Sequence, residues 1–377
     1  MQIANYRQPF PALLPKPQYP VPPDTTTPAK PPAVSEGVQA QWSKMRENDS
    51  FCPARLQNIA ADGTWHIQGV RWGFEELGND SSKWVSRFKD IKVKPSDIKE
   101  VYIGLEPFVP ELVAGHGHAV LEFNHPLTNS DGEQDHRMVV SLEAWTPPGQ
   151  SYGLTKGMKK NFGVIYQLGS FSDRVQRQTR KEGRSIKLYH LNLTQEQKQA
   201  FAETSLREAV QDRTGEYYNT LTNSCFGAQV ANLNQVLPEK NQIHRWTELL
   251  RLPKMSATLP ASAGLVLERY HLRSLEDPIE ILPDARLHPE AKALQEPGLV
   301  AQLSQKSWWG TASRLTGAAA GMALGASLAG TPGALLGSVA LSYVGGIVGD
   351  HLRILNGSRK IQPDEFFPQH IKDQLKK

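Results

Sequence analysis

A chain of 377 residues is long enough for two or three domains and a sizeable core. Its 42 Lys and Arg against 38 Asp and Glu leave a net charge of +4, too small and too scattered to imply a nucleic-acid groove. Two cysteines, Cys52 and Cys225, indicate no disulfide framework; no CxxC pair or Cys/His cluster has metal-ligand spacing, so neither a metal nor another cofactor is expected.

The first residues, Met1 to Arg7, lack the basic start and apolar core of a secretory signal. Ten prolines between Pro9 and Pro32 then rule out helix or central strand, and residues 1–36 read as an extended polyproline-rich arm. Residues 37–100 are mixed: a short helix-like run around Val38 to Arg46, then strand and turn from Gly63 to Trp72. Pro95-Ser96-Asp97 closes what reads as a small N-terminal subdomain without a chemical motif.

Residues 101–252 carry denser patterns. Val101 to Leu105 is a short apolar strand. His118 to Phe123 is a second, with Ala119, Leu121 and Phe123 on one face and His118, Val120 and Glu122 on the other. Met138 to Trp145 is a third and sets Val139, Ser141, Glu143 and Trp145 on one side. Gly163 to Leu168 and Ile186 to Leu191 add two more. Thr194-Gln195-Glu196-Gln197 is a capping box that opens a helix through Phe201, Leu206, Ala209 and Val210. Phe226, Val230, Leu233 and Leu237 recur at helical spacing, so a second helix begins at or just after Cys225, capped by Asn223 or Ser224. Strands followed by helices predict an α+β layout.

Residues 253–305 lack clean periodicity and read as a linker with short helical pieces. Leu315 to Gly349 is then 35 residues without a charge, with Gly317, Gly321 and Gly325 before Thr331-Pro332 and Gly333, Gly337, Gly345 and Gly349 after it. Glycines four apart lie on one helix face and let two helices approach closely in lipid. Residues 306–353 therefore read as a glycine-zipper membrane hairpin, flanked by Trp308, Trp309, Arg314 and Arg353 as interface anchors, and residues 354–377 as a polar tail. The competing reading of this segment is a Gly/Ala-rich linker or a buried soluble hairpin.

Chemistry concentrates at Cys225. A cysteine at a helix start faces the positive end of the dipole, which favours the nucleophilic thiolate; a plain buried residue is the alternative, and a Cys52–Cys225 bridge would silence it. Such a nucleophile needs a base and a group to orient that base. His118, fixed in direction by its strand, is the preferred base over His116, which is expected in the looser turn Gly115-His116-Gly117. Glu143 can accept the far imidazole N–H, with Ser141, His136 and Glu122 as weaker substitutes. A tyrosine of Glu216-Tyr217-Tyr218 can donate to an oxyanion beside the Cys225 amide.

Gly117 to Phe123, the run from Ile186 into Thr194-Gln195-Glu196-Gln197, and Tyr218 with Asn223-Ser224-Cys225 together resemble the Lnb N-terminal periplasmic domain family. That family groups with circularly permuted papain-like cysteine folds, relatives of the NlpC and lecithin:retinol acyltransferase groups, in which the histidine strand precedes the cysteine helix, as here. The resemblance implies His118 as base, Cys225 as nucleophile and Glu143 as orienting residue. The family's usual Asn-Cys pair is Ser224-Cys225 in this chain, with the asparagine one place earlier. The resemblance and the glycine-rich hairpin together imply a bacterial, membrane-associated hydrolase or acyltransferase that works through an acyl-cysteine on a lipid, lipoprotein or peptide substrate. The alternative is a non-enzymatic membrane-inserting or pore-forming protein with an inactive papain-like binding module.

Overall fold

The structure, a computed structural model, describes residues 52–76, 84–107, 115–146, 152–157, 159, 161–213, 215–220, 223–243, 263–274, 278–289, 319, 358–365 and 367. The polyproline arm and nearly all of the glycine-rich segment lie outside these residues. Among the described residues no helix is long and apolar enough to cross a membrane.

The described residues form an α+β unit built on one sheet. Its strands are β1 (Arg55–Ile59), β2 (Trp65–Glu76), β3 (Trp84–Val93), β4 (Ile98–Pro107), β5 (Gly115–Asn129), β6 (Gln134–Trp145), β7 (Gly163–Ser170), β8 (Ile186–His190), β9 (Ile279–Ile281) and β10 (Arg359–Ile361). The spatial order is β1-β2-β7-β6-β5-β4-β8-β9-β10, and β3 pairs with both β2 and β5. The ring β2-β7-β6-β5-β3 thereby closes a five-strand barrel, and the remaining strands extend the sheet from it. Closure through β3 removes edges that would otherwise expose unpaired N–H and C=O groups.

Three stretches take a different place from the one read in the sequence. Residues of the expected N-terminal subdomain supply β1 to β3 to this common sheet, and Pro95–Asp97 is a single 3-10 turn that leads straight into β4. Within the expected linker a short helix is present as read, Ala263–Arg269, but strand β9 follows it and pairs antiparallel with β8. In the expected polar tail, β10 pairs parallel with β9. The apolar side chains of Ile279, Ile281 and Ile361 cause this: they extend the hydrophobic face begun by Ile186 and Leu188.

The helices are α1 (Leu154–Gly157), α2 (Phe171–Gln176), α3 (Gln195–Ala209), α4 (Cys225–Val236) and α5 (Ala263–Arg269). The expected capping box is present at α3: Thr194 accepts from the Gln197 N–H while the Gln197 side chain accepts from the Thr194 N–H. α3 and α4 pack on one face of the sheet, where Phe201, Leu206, Phe226, Val230 and Leu233 join Ile103, Leu121, Val140 and Leu168 in the main core. On the other face α2 lays Phe171 and Val175 against Val120, Val139, Ile186 and Leu188. The central strands β5 and β6 are thus covered on both sides, so polar groups on their buried faces must find partners within the protein.

Candidate active site

Cys225 is the first residue of α4, and Ser224 caps the helix by accepting from the Gly227 N–H. The thiol is 2% exposed and is not in a disulfide. Two donors point at the sulfur. The backbone N–H of Gly117 reaches Sγ at 3.4 Å, and the Tyr218 hydroxyl lies 3.9 Å from it. Gly117 is glycine for a reason of space: a Cβ there would come within 3.1 Å of the Phe226 Cβ, in the residue after the cysteine. The close approach of β5 to the start of α4 depends on that missing side chain.

The register Val120↔Val139 puts His116, His118 and Val120 on the same face as Val139, Ser141 and Glu143. β5 begins at Gly115, so His116 sits in regular strand rather than in a loose turn. Its Nε2 lies 2.6 Å from the Ser141 hydroxyl and 3.2 Å from Oε1 of Glu143, and Ser141 in turn donates to the same Oε1 at 3.0 Å. Because Ser141 donates to the carboxylate, it accepts from Nε2–H, which leaves Nδ1 as the ring nitrogen available to the thiol.

The two histidines therefore part company. His116 is the one whose charge acts on the Cys225 sulfur, each shifting the other's ionisation. His118, the base expected from the sequence, is fully buried, and neither ring nitrogen has a hydrogen-bond partner. Its ring fills the space left by Gly104 on β4, where a Cβ would overlap the imidazole, and its Nδ1 lies 3.6 Å from Glu106. Gly104 opposite His118 in the β4–β5 register explains the fit.

The electrostatics follow from these contacts. Burial would push the Cys225 thiol up, but the charge of His116, its hydrogen bond and the Gly117 N–H outweigh burial and hold it below the ordinary thiol value. Burial would likewise lower His116; the carboxylate of Glu143 and the sulfur reverse this and raise it to about 10. Burial would raise Glu143, yet His116 and Arg174 hold its carboxyl well below the usual range. His118 is pushed well below its ordinary value by burial, then by Arg174 and His116. These contacts favour a charged His116 ring beside an ionised Glu143 carboxylate, leave His118 neutral, and make the Cys225 thiol more acidic than an ordinary one.

Other residues weighed from the sequence are engaged elsewhere. Glu122 pairs with Lys99 at 2.9 Å and Arg137 at 2.8 Å, and His136 is exposed. Tyr217 forms a bridge with Gly163, whereas Tyr218 faces the sulfur and meets Tyr152 edge-on. Sequence reading missed Arg174 on α2 and Glu106 on β4, which join the site through Glu143. Glu106 carries one sequence signal, a charged residue between Leu105 and Pro107 at the end of an apolar strand; Arg174, between Asp173 and Val175, carries none. Among the described residues no group of His, Cys, Asp and Glu converges as metal ligands.

Residues 87–253 match the family described as Lnb N-terminal periplasmic domain, the family the sequence resembles. The match takes in β4 to β8, α2 to α4 and every residue placed around the sulfur. No curated protein and no solved structure matches the chain.

Proposed function

We propose that this protein is a thiol-dependent hydrolase or acyltransferase built as a circularly permuted papain-like domain. The observation that carries the reading is the convergence on one buried sulfur of a helix N-terminus, the Gly117 N–H and a histidine anchored by Glu143 and Ser141. The chain order, with the histidine strand before the cysteine helix, is the permuted one. The base is His116 in this reading, two residues from the position read in the sequence.

The Cys225 thiolate attacks the carbonyl carbon of an ester or amide, forming the C–S bond as the carbonyl electrons move onto oxygen. Tyr218 and backbone N–H groups beside the sulfur are the available donors to that oxyanion. Collapse breaks the bond to the leaving group, which takes its proton from the His116 imidazolium. Neutral His116 then deprotonates water or an amine, which attacks the thioester and returns the sulfur as leaving group. Glu143 holds the ring through Nε2 and stabilises the imidazolium throughout.

The family's name, with its periplasmic domain, and the uncharged glycine-rich run from Leu315 to Gly349 support a bacterial, membrane-proximal setting with a lipid, lipoprotein or peptide substrate. Carbonate extraction of the full chain against one ending near Gln305 tests the membrane part; if both stay in the soluble fraction, that part is wrong.

The chemistry is tested with a p-nitrophenyl acyl ester. The wild-type protein should release p-nitrophenolate and gain the acyl mass on the peptide that contains Cys225, and hydroxylamine should remove it. Cys225→Ala should show neither event. Acylation elsewhere, or turnover in Cys225→Ala, would reject the reading.

A further inference from the structure

We propose that Arg174 is the positioning residue of this site, locking Glu143 as a pure hydrogen-bond acceptor so that His116 keeps Nδ1 free for the thiol. The proposal rests on the thiol chemistry above and adds to it a residue and a mechanism of control.

Three contacts define the geometry. The guanidinium of Arg174 forks onto Glu106, Nε to Oε1 at 2.5 Å and Nη2 to Oε2 at 2.7 Å. This fork uses a carboxylate on β4 to fix the plane of the group. Its remaining arm, Nη1, then reaches Oε1 of Glu143 on β6 at 3.1 Å. That one oxygen also accepts from the Ser141 hydroxyl and lies 3.2 Å from Nε2 of His116, so two donors and the charge of the ring converge on it. The fork is buried, with the side chains of Arg174 and Glu106 7% and 2% exposed, and Glu143 is partly buried, with 15% exposed. Fixed, bidentate geometry of this kind is specific to arginine.

The local fold explains how a charged side chain arrives there. Ser170 ends β7 and caps α2 by accepting from the Asp173 N–H, so the chain turns from strand to helix without a loop. α2 lies across the sheet face that carries His116 and Glu143, and immediately continues as a π-helical turn at Arg177–Lys181. Such turns are rare and occur frequently at functional sites.

The chemical need is one of polarity. A buried carboxylate with only a histidine beside it can take the proton from that ring, becoming a neutral acid that donates to Nε2. The imidazole would then carry its proton on Nδ1 and could not accept one from sulfur. A fixed cation on the same oxygen disfavours that proton transfer. Facing the cluster are His118 on the same strand as His116, Arg177 in the π-turn, Asp173 in α2, and Tyr218 beside the sulfur. Of these, Asp173 is held by Arg71 at 2.5 Å, and His118 stays neutral. Arg174 is thus the cation in direct contact with Glu143 besides His116 itself.

The test is the pH profile of Cys225 alkylation by iodoacetamide, followed by peptide mass in the full chain. Arg174→Met combined with Glu106→Leu removes the fork without changing net charge, a replacement buried pairs often tolerate. Expected is a higher midpoint and alkylation at pH 7 slowed on the order of tenfold, one pKa unit being a factor of ten. In a Glu143→Gln background the same pair of changes should add nothing, because Arg174 acts through Glu143. Arg174→Lys keeps the cation beside Glu106 and so preserves folding, but it loses the fork; its midpoint should also rise. An unchanged midpoint in either folded variant, or additive slowing in the Glu143→Gln background, overturns the proposal. If wild-type Cys225 already titrates like an ordinary thiol, it is the thiol chemistry itself that fails.

Discussion

The backbone N–H of Gly117 donates to Sγ of Cys225 at 3.4 Å, joining residues 108 apart in sequence. The contact links β5, the strand that carries His116, to α4, the helix that begins at Cys225. It places a donor at the sulfur that needs no side chain and costs no rotamer freedom. It also fixes the distance between β5 and α4, since Phe226 packs directly over Gly117.

The two cysteines should react very differently. Cys52 is pushed up by burial, while Cys225 is held below the ordinary thiol value of about 8.5 despite burial. Iodoacetamide near pH 7 should modify Cys225 first, with a rate profile displaced to lower pH than that of Cys52. Equal rates at the two positions would contradict the electrostatic account of the site.

Exchanging the histidines separates their roles. His116→Ala should slow acylation of Cys225 by roughly 10²- to 10⁴-fold, the usual contribution of a positioned base. His118→Leu should leave acylation within a few-fold of wild type. Its imidazole makes no hydrogen bond, so an apolar replacement of similar size forfeits none. Burst kinetics with the p-nitrophenyl ester measure both; the reverse pattern would restore His118 as the base.

Gly117→Ala should be costly on two counts. The added Cβ would meet Phe226 Cβ at 3.1 Å and Cα at 3.4 Å, in the rigid first turn of α4. Overpacking of this kind destabilises by about 1–3 kcal/mol, read as a lower urea midpoint. The displaced helix start should also slow acylation more than the stability loss accounts for, because Cys225 moves with it. A variant with wild-type kinetics would show that the close approach is dispensable.

The Glu143–His116 pair should shape stability against pH. Glu143 is depressed in the folded state, so its contribution is present above the unfolded value of about 4.3 and is lost as the pH falls through the folded value. His116 is raised to about 10, so its contribution is complete below the unfolded value of about 6.5 and is lost as the pH rises toward 10. Both operate together between about pH 4.5 and 6.5. Glu143→Gln should therefore cost most in that window, on the order of 3 kcal/mol for a broken buried pair. The deficit should shrink toward pH 10. A deficit independent of pH in thermal melts would mean that packing, not charge, is what the carboxylate supplies.

Much of this site is written in local sequence. The helix at Cys225 follows from the spacing of Phe226, Val230 and Leu233 and from Ser224 as cap, and both are seen. The capping box at Thr194 and the strands through Val120, Val139 and Ile165 are local patterns too, because side-chain period and capping chemistry act within a few residues. Glu143 was legible as the carboxylate on the alternating face of β6.

Only the tertiary structure shows how differently His116 and His118 are surrounded. The two share one strand face at period 2, so the pattern cannot choose between them. The choice lies in their neighbours: Gly104 on β4 opens a slot for the ring of His118, while Ser141 and Glu143 on β6 take Nε2 of His116. Arg174 was invisible for a related reason, because its role comes from α2 crossing two strands that sequence separates from it by 31 and 68 residues. Periodicity fixes which way a side chain faces along its own element; which partner waits there is set by non-local packing, and that packing is where a buried charge acquires its function.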